Sequence, residues 1–245
     1  MACILAIETA TRICSVHLSL NGKNIFNRIH TGEVSHASIL GVFVAEAVKS
    51  ARKNTLKIDA VAVSAGPGSY TGLRIGVSEA KGLCYGLDIP LIALPTLQIL
   101  AAATILNSQF SILNSQLLCP LLDARRMEVY SALYDNELNE IRPAEAEIID
   151  ENSFKKYLEK QPVIFFGSGA DKCRDLIQSP NAHFIDNIIP TAEAMIPLSD
   201  KAFADKAFVD VAYFEPYYLK EFQATVPKKQ ELFVPLRPHF KNRQF

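Results

Sequence analysis

Ser64-Ala65-Gly66-Pro67-Gly68-Ser69-Tyr70-Thr71-Gly72-Leu73-Arg74-Ile75-Gly76 is the stretch that decides how this chain is read. The apolar run Ala60 to Val63 precedes it. Leu73, Val77, Ala80, Cys84 and Leu87 follow at helical spacing. That pattern predicts a buried strand, a Gly-Pro-Gly turn and the start of a helix. Ser69 or Thr71 is placed to cap the helix, because a hydroxyl there accepts a free amide of the first turn. Gly66 and Gly68 permit backbone angles that other residues resist, and they leave amides bare. Such a loop has two uses: holding an anion at the helix mouth, or admitting another backbone closely. Within the helix, Gly72, Gly76 and Ala80 recur every four residues, a spacing that lets a neighbouring helix approach. The opposite edge carries Arg74, Ser78, Lys81 and Tyr85.

Upstream, Cys3 to Ile7 is a short apolar run that ends in the turn Glu8-Thr9-Ala10-Thr11. Cys14, Val16, Leu18 and Leu20 alternate with Ser15, His17 and Ser19, as in a half-buried strand. Asn21-Gly22 is a strong hairpin signal, and Ile25 to Ile29 supplies a third strand. A helix then starts at Ser35, with Leu40, Phe43, Val44, Ala47, Val48 and Ala51 on one face. Ile39 and Val42 lie off that face, so the helix is either deeply buried or meets a partner. Downstream, Pro90 to Leu94 reads as a strand and Pro95-Thr96 opens a helix to about Leu106.

Three strands, helix, strand, helix, strand, helix is the order of the ribonuclease-H-like α/β fold of actin, sugar kinases and Hsp70, in which two such lobes face each other. A weaker second round follows. Strands are predicted at Gln116 to Leu122, Met127 to Tyr134, Ala144 to Ile149 and Val163 to Phe166. Helices are predicted at Ser153 to Glu159, Asp171 to Ile177 and Ala192 to Val209. The Ser/Asn-rich segment Asn107 to Ser115 marks the boundary. This gives an N-terminal actin-like lobe over 1–107, a C-terminal one over 108–212, and an irregular tail over 213–245 made basic by Lys228, Lys229, Arg237, Lys241 and Arg243. Duplication is suggested by element order alone, with no residue-level repeat.

Bulk properties narrow the function. The net charge of −1 argues against a protein that coats nucleic acid by charge alone. Five cysteines, odd in number and without a Cys-x-x-Cys pair, fit buried reduced thiols better than disulfides or zinc. Glu8 and Arg12 interrupt the first apolar run too early for a signal peptide, and no apolar stretch reaches membrane-spanning length. A cytoplasmic protein is expected. A basic tail among polar and proline residues is expected to be solvated, with direct tRNA binding as the sharper alternative.

Four stretches resemble the TsaB (YeaZ) family of the bacterial tRNA threonylcarbamoyladenosine pathway: Ile4-Leu5-Ala6-Ile7-Glu8-Thr9-Ala10-Thr11, the Ser64 to Gly76 motif continuing to Leu83, Asp123-Ala124-Arg125-Arg126-Met127-Glu128-Val129-Tyr130, and Glu215-Pro216-Tyr217-Tyr218-Leu219. They span nearly the whole chain in the family's order, although 144–209 adds little. The resemblance implies two ASKHA-type lobes and a noncatalytic scaffold for TsaD, which threonylcarbamoylates adenosine 37 of tRNAs reading ANN codons. It implies no cofactor, TsaD and TsaE as partners, a homodimer when alone, and tRNA met only indirectly. It places the partner surface on the first two helices, here Ile39, Val42, Phe43, Arg74, Ser78, Lys81 and Tyr85, beside the motif loop Gly66, Pro67, Gly68, Ser69, Thr71, Gly72 and Arg74. A homodimer through the same helices would be isologous, and TsaD would compete for it.

In TsaD a His-x-x-x-His pair binds metal. The matching positions here are Thr96 and Leu100, a poor ligand and a residue without a donor atom. ATP-binding fold relatives place a carboxylate and a glycine in the first turn. Here Glu8, Thr9 and Thr11 form a vestigial turn that the longer Glu8 and the bulk of Ala10 would crowd. Gly167-Ser168-Gly169-Ala170 reads as a turn before a helix rather than an adenosine loop. Asp123 resembles a catalytic aspartate by position, and beside Arg125 and Arg126 it reads as part of a salt-bridged turn. A lone His36 reads as a cap or surface residue. The alternative class is an enzyme, a weak ATPase or a metallopeptidase-like glycoprotease relative.

Overall fold

The computed structural model describes residues 2–32, 34–107 and 115–220. The basic tail residues from Lys228 onward, and most of the Asn107 to Ser115 boundary, lie outside them. The first sheet contains β1 (Cys3–Glu8), β2 (Cys14–Leu20), β3 (Lys23–His30), β4 (Ala60–Gly66) and β5 (Leu91–Pro95), in the spatial order β3-β2-β1-β4-β5. The second contains β6 (Leu117–Asp123), β7 (Glu128–Tyr134), β8 (Glu140–Ile148), β9 (Val163–Phe166) and β10 (Ala182–Ile185), in the order β10-β9-β6-β7-β8. Each sheet has an antiparallel three-strand meander followed by two parallel strands. The two sheets therefore share one topology, the duplication that element order suggested.

Helices form the remaining layers. On the outer face of the first sheet lie α1 (His36–Lys53) and α2 (Tyr70–Leu87), side by side and 18 residues long each. Leu40, Val44 and Ala47 of α1 and Val77, Ala80 and Cys84 of α2 share one core with Leu5, Ile7, Val16 and Leu18 of the strands. Between the sheets lies α3 (Thr96–Leu106); after a 3-10 turn at Glu193–Met195, α6 (Ile196–Ala204) packs beside it on the first sheet. The α3 helix is apolar all round because both its faces are covered. Ile99 packs on the first sheet, and Leu97, Leu100 and Ala101 pack on the second. Among the described residues, the helices on the outer face of the second sheet are α4 (Lys155–Leu158) and α5 (Asp171–Arg174), four residues each.

Several expectations need correction. The stretch Ala192 to Val209 is not one helix: the chain leaves α6 after Ala204, and Val209 pairs with the edge strand at Leu91. The helices expected over 153–159 and 171–177 are single turns. Strand β10 was not anticipated, and β8 starts four residues earlier than expected, at Glu140. Strand β2 is not half-buried. The 3-10 turn covers its polar face, leaving Ser15, His17 and Ser19 as buried as Val16, and Ser15 Oγ accepts the Ala192 amide at 2.9 Å. All five cysteines are free and buried. Loss of water pushes the thiols of Cys3, Cys14, Cys84 and Cys173 up to about 11.

Candidate functional site

The glycine motif and the β1–β2 turn form one assembly. Ser69 is the helix cap of α2: its Oγ accepts the Gly72 amide at 3.2 Å, while exposed Thr71 makes no cap. The Ser69 amide donates to the Ala10 carbonyl at 2.6 Å. Thr9 Oγ1 donates to the Gly72 carbonyl at 2.9 Å. A Cβ on Gly68 would fall on the Ala10 carbonyl, one on Gly72 on the Thr9 carbonyl, and one on Gly76 on the Thr9 hydroxyl. The four-residue spacing thus admits the β1–β2 turn and not another helix, which corrects the expectation. Close approach of a backbone, one of the two uses foreseen for the loop, is observed.

Glu8 anchors the turn from below. It is fully buried, and its Oε1 accepts the Ala10 amide at 2.6 Å, so it folds back on its own turn and does not line the cleft. Its Oε2 has no hydrogen-bond partner among the described residues. Burial dominates and pushes the carboxyl up to about 7, against the charge-favouring Ala10 amide. The Ser64 hydroxyl lies near enough to ease the charge without making a hydrogen bond of ordinary geometry. Ala10, not Glu8, presents bulk at the turn's cleft-facing edge.

The chain's last described segment straps this assembly down. The Tyr217 amide donates to the Ala65 carbonyl at 2.7 Å, and the Tyr217 carbonyl fills the space beside Gly66, whose φ of +107° excludes a side chain. Lys81 Nζ donates to the carbonyls of Ala212 and Phe214 at 3.0 and 3.1 Å. Arg74 lies over the Tyr70 ring at 4.3 Å and donates to the Tyr218 hydroxyl at 3.3 Å. Of the proposed partner residues, Arg74 and Lys81 therefore already bind this segment, a role the sequence pattern did not reveal. Val42 is 55% exposed and Tyr85 is 88% exposed. Ser78 is exposed, while Ile39 and Phe43 are half-buried against the core.

The positions matching a metal pair are packed. Thr96 and Leu100 are both fully buried, and Leu100 Cδ2 stands 2.6 Å from where a Gly167 Cβ would lie. Among the described residues, no group of three or more His, Cys, Asp or Glu side chains is placed to hold a metal ion. His36 Nε2 hydrogen-bonds to the Ile13 carbonyl at 3.0 Å, which requires the ring proton on that nitrogen. In the second lobe the Gly169 amide donates to Leu121 and the Ser168 hydroxyl accepts the Asp123 amide, so Gly167 to Ala170 is a turn bonded to β6. Asp123 is indeed salt-bridged, but to Lys172 at 2.5 Å and not to its arginine neighbours. Partial burial opposes its charge. Lys172 and the Arg125 amide outweigh that and hold it below the usual carboxylate range. A cleft of about 1030 Å³ lies between the two turns, bordered by Arg12, Ser69, Asp123, Arg125 and Lys220.

The profile of the tRNA N6-adenosine threonylcarbamoyltransferase family, TsaD, matches residues 30–228. The tRNA threonylcarbamoyladenosine biosynthesis protein TsaB of Escherichia coli is 32% identical over 227 residues, covering 89% of this chain and 94% of that protein. TsaB of Bacillus subtilis is 37% identical over 121 residues, 48% of this chain and 50% of that one. A crystal structure from Pseudomonas aeruginosa, of a protein described as similar to the peptidase YEAZ, superimposes with a TM-score of 0.73 at 25% identity. That superposition covers 90% of this chain and all of the other. YeaZ from the same organism gives 0.70 at 24% identity, over 89% of this chain and 100% of that one. Among the described residues, no helix is long and apolar enough to cross a membrane.

Proposed function

Because this chain belongs to the TsaB family of tRNA threonylcarbamoyladenosine biosynthesis proteins, we propose that it serves that modification as a noncatalytic partner of TsaD, with TsaE completing the assembly. The observation that carries the reading is the docked β1–β2 turn. Thr9 fills the notch of Gly72 and Gly76, and Ala10 takes the Ser69 amide. Two of the backbone donors at this helix mouth, the Ser69 and Gly72 amides, are used inside the protein. Glu8, the carboxylate of that turn, is turned into the sheet, and apolar packing fills the positions of a metal pair.

What this lobe keeps on its outside is a surface. The α1 and α2 helices run side by side with Val42 and Tyr85 exposed and Ile39 and Phe43 half-buried beneath them. We place the TsaD contact there, and a homodimer contact on the same helices in TsaD's absence. Arg74 and Lys81 hold the strap against α2, so we assign them to fixing that segment beside the partner surface.

The test is a reconstituted modification assay with TsaD and TsaE, run with and without this chain. Product should form only when the chain is present. Product formed equally well without it would refute the reading. Val42→Glu should abolish co-elution with TsaD and leave the melting temperature unchanged, because the side chain it replaces is more than half exposed. Unaltered co-elution would move the interface elsewhere.

A further inference from the structure

The β6–β7 turn carries one acid and two arginines, and the acid is taken by a fourth residue. Lys172 binds Asp123 at 2.5 Å and also donates to the carbonyls of Arg126 and Glu128. Arg125 and Arg126 are exposed, and neither has a carboxylate at ion-pair distance among the described residues. Both adopt left-handed backbone angles, φ of +72° and +51°. Each such angle costs a non-glycine residue roughly 1 kcal/mol or more, and strain of this kind collects at binding sites. Backbone bonds from Ala124 to Glu128 and from Glu128 to Arg125 hold the turn in that form.

Arg125 lines one wall of the interlobe cleft. Arg12, from the β1–β2 turn, lines the other. Arg12 is also exposed and without a carboxylate partner among the described residues, and it is close enough to Asp123 to favour that carboxylate's charge. Lys220 is a third cation at the rim, paired with Glu128, and half-buried Tyr130 offers a ring. Asp123, already neutralised, is the single acid among the described residues lining this cleft. The α2 N-terminus opens onto the same space and adds its positive end.

We propose that this cleft binds the phosphodiester backbone of RNA, with Arg12 and Arg125 gripping phosphates from opposite walls. A guanidinium presents paired donors that match phosphate oxygens. A free nucleoside triphosphate fits less well, because its clustered phosphates need a backbone cradle, and the Ser69 and Gly72 amides are already bonded within the protein. Phosphates strung along a strand need only separated side chains. The choice of RNA among polyanions rests on the pathway reading above and goes beyond it, since there tRNA is met only through the partner.

The experiment is fluorescence anisotropy of a labelled, unmodified tRNA transcript titrated with the full chain alone over a series of salt concentrations. Arg12→Glu with Arg125→Glu should weaken binding about tenfold or more and lower the slope of log affinity against log salt by roughly one to two units. Lys201→Glu with Lys206→Glu makes the same charge change on exposed residues outside the cleft and should leave both nearly unchanged. Arg12→Gln with Arg125→Gln serves if the reversal unfolds the protein, and should give a smaller loss of the same sign. Equal loss in cleft and control variants, no loss in either, or absence of binding by the wild type overturns the proposal. So does full displacement of the tRNA by equimolar magnesium ATP. The modification assay reads the scaffold role and this titration reads the cleft, so either can fail alone.

Discussion

The two lobes share a strand order and differ in what covers it. The first sheet is backed by two helices of 18 residues each, and the second by two single turns of four. The second lobe closes its outer face in another way. Arg142 reaches Glu147 at 2.7 Å, bonds Ser131 and lies 4.9 Å from the Phe154 ring centre. Each lobe also has paired glycines at the end of its fourth strand, Gly66 and Gly68 or Gly167 and Gly169. Gly66 and Gly167 have nearly equal positive φ values, +107° and +102°. Gly68 receives the turn after β1, and Gly167 and Gly169 receive β6, whereas Gly66 receives the Tyr217 carbonyl of the strap. The shared part is thus a joint between a glycine turn and a strand end. The long helices are what the first lobe adds, and they carry the surface proposed for the partner.

The sharpest way to break this comparison is to crowd both joints equally. In the first lobe a Cβ on Gly72 meets the Thr9 carbonyl, a backbone atom of the β1–β2 turn that the Thr9–Gly72 and Ser69–Ala10 hydrogen bonds hold in place. Gly72→Ala should cost about 3 kcal/mol or more, even after the gain in helix propensity of about 1 kcal/mol. In the second lobe a Cβ on Gly169 would lie 2.9 Å from Val129 Cγ1 and 3.2 Å from the Leu122 carbonyl carbon. A valine rotamer can yield, so Gly169→Ala should cost only about 1–2 kcal/mol. Urea unfolding of the two variants checks this, and equal losses would mean that the joints are equally tight.

The carboxylates that end the first strand of each sheet, Glu8 and Asp123, sharpen the comparison because their shifts have opposite signs. Glu8 is raised from 4.5 to about 7, so the folded state holds its proton more tightly than the unfolded chain does. Its burial is free of charge cost below pH 4.5 and progressively destabilising as pH rises to about 7. The loss over that window is on the order of 3 kcal/mol. Glu8→Gln keeps the acceptor for the Ala10 amide and cannot ionise. Its stability should therefore overtake the wild type's as pH rises through this window, measured by urea unfolding at a series of pH values. Parallel curves for the two proteins would show that Glu8 does not titrate with folding.

Much of the first lobe was legible because its signals are local. Alternation in Cys14 to Leu20, the Asn21-Gly22 turn and long apolar periodicity place β2, the hairpin, α1 and α2 to within a residue or so. The second lobe was less legible because its elements are short. Ala182 to Ile185 is too brief for periodicity to register. Apolar residues at 207–209 mimic a helix continuation, but Val209 pairs with Leu91. The site was legible in composition and not in pairing. The spacing of Gly72 and Gly76 announced a close neighbour without saying that it is Thr9. Asp123 announced an ion pair, whose partner Lys172 lies 49 residues along the chain. Arg74 and Lys81 read as free surface because the strap that binds them comes more than 130 residues later.

The smallest effect is expected at Asp123, and it tests the sign directly. Its folded pKa lies below the ordinary value, so its pairing contributes stability above that value and loses it as pH falls through the depressed one. The carboxylate is half exposed, at 52%, and solvent screens the pair. Asp123→Asn should therefore cost no more than about 1 kcal/mol near neutral pH and nothing at acid pH. Adding salt should shrink the difference further. Glu8→Gln is expected to diverge from the wild type in the alkaline direction as a gain, and Asp123→Asn as a loss. If both variants moved the same way with pH, the contrast between a buried, uncharged strand end and an ion-paired one would be wrong, whatever the sheets have in common.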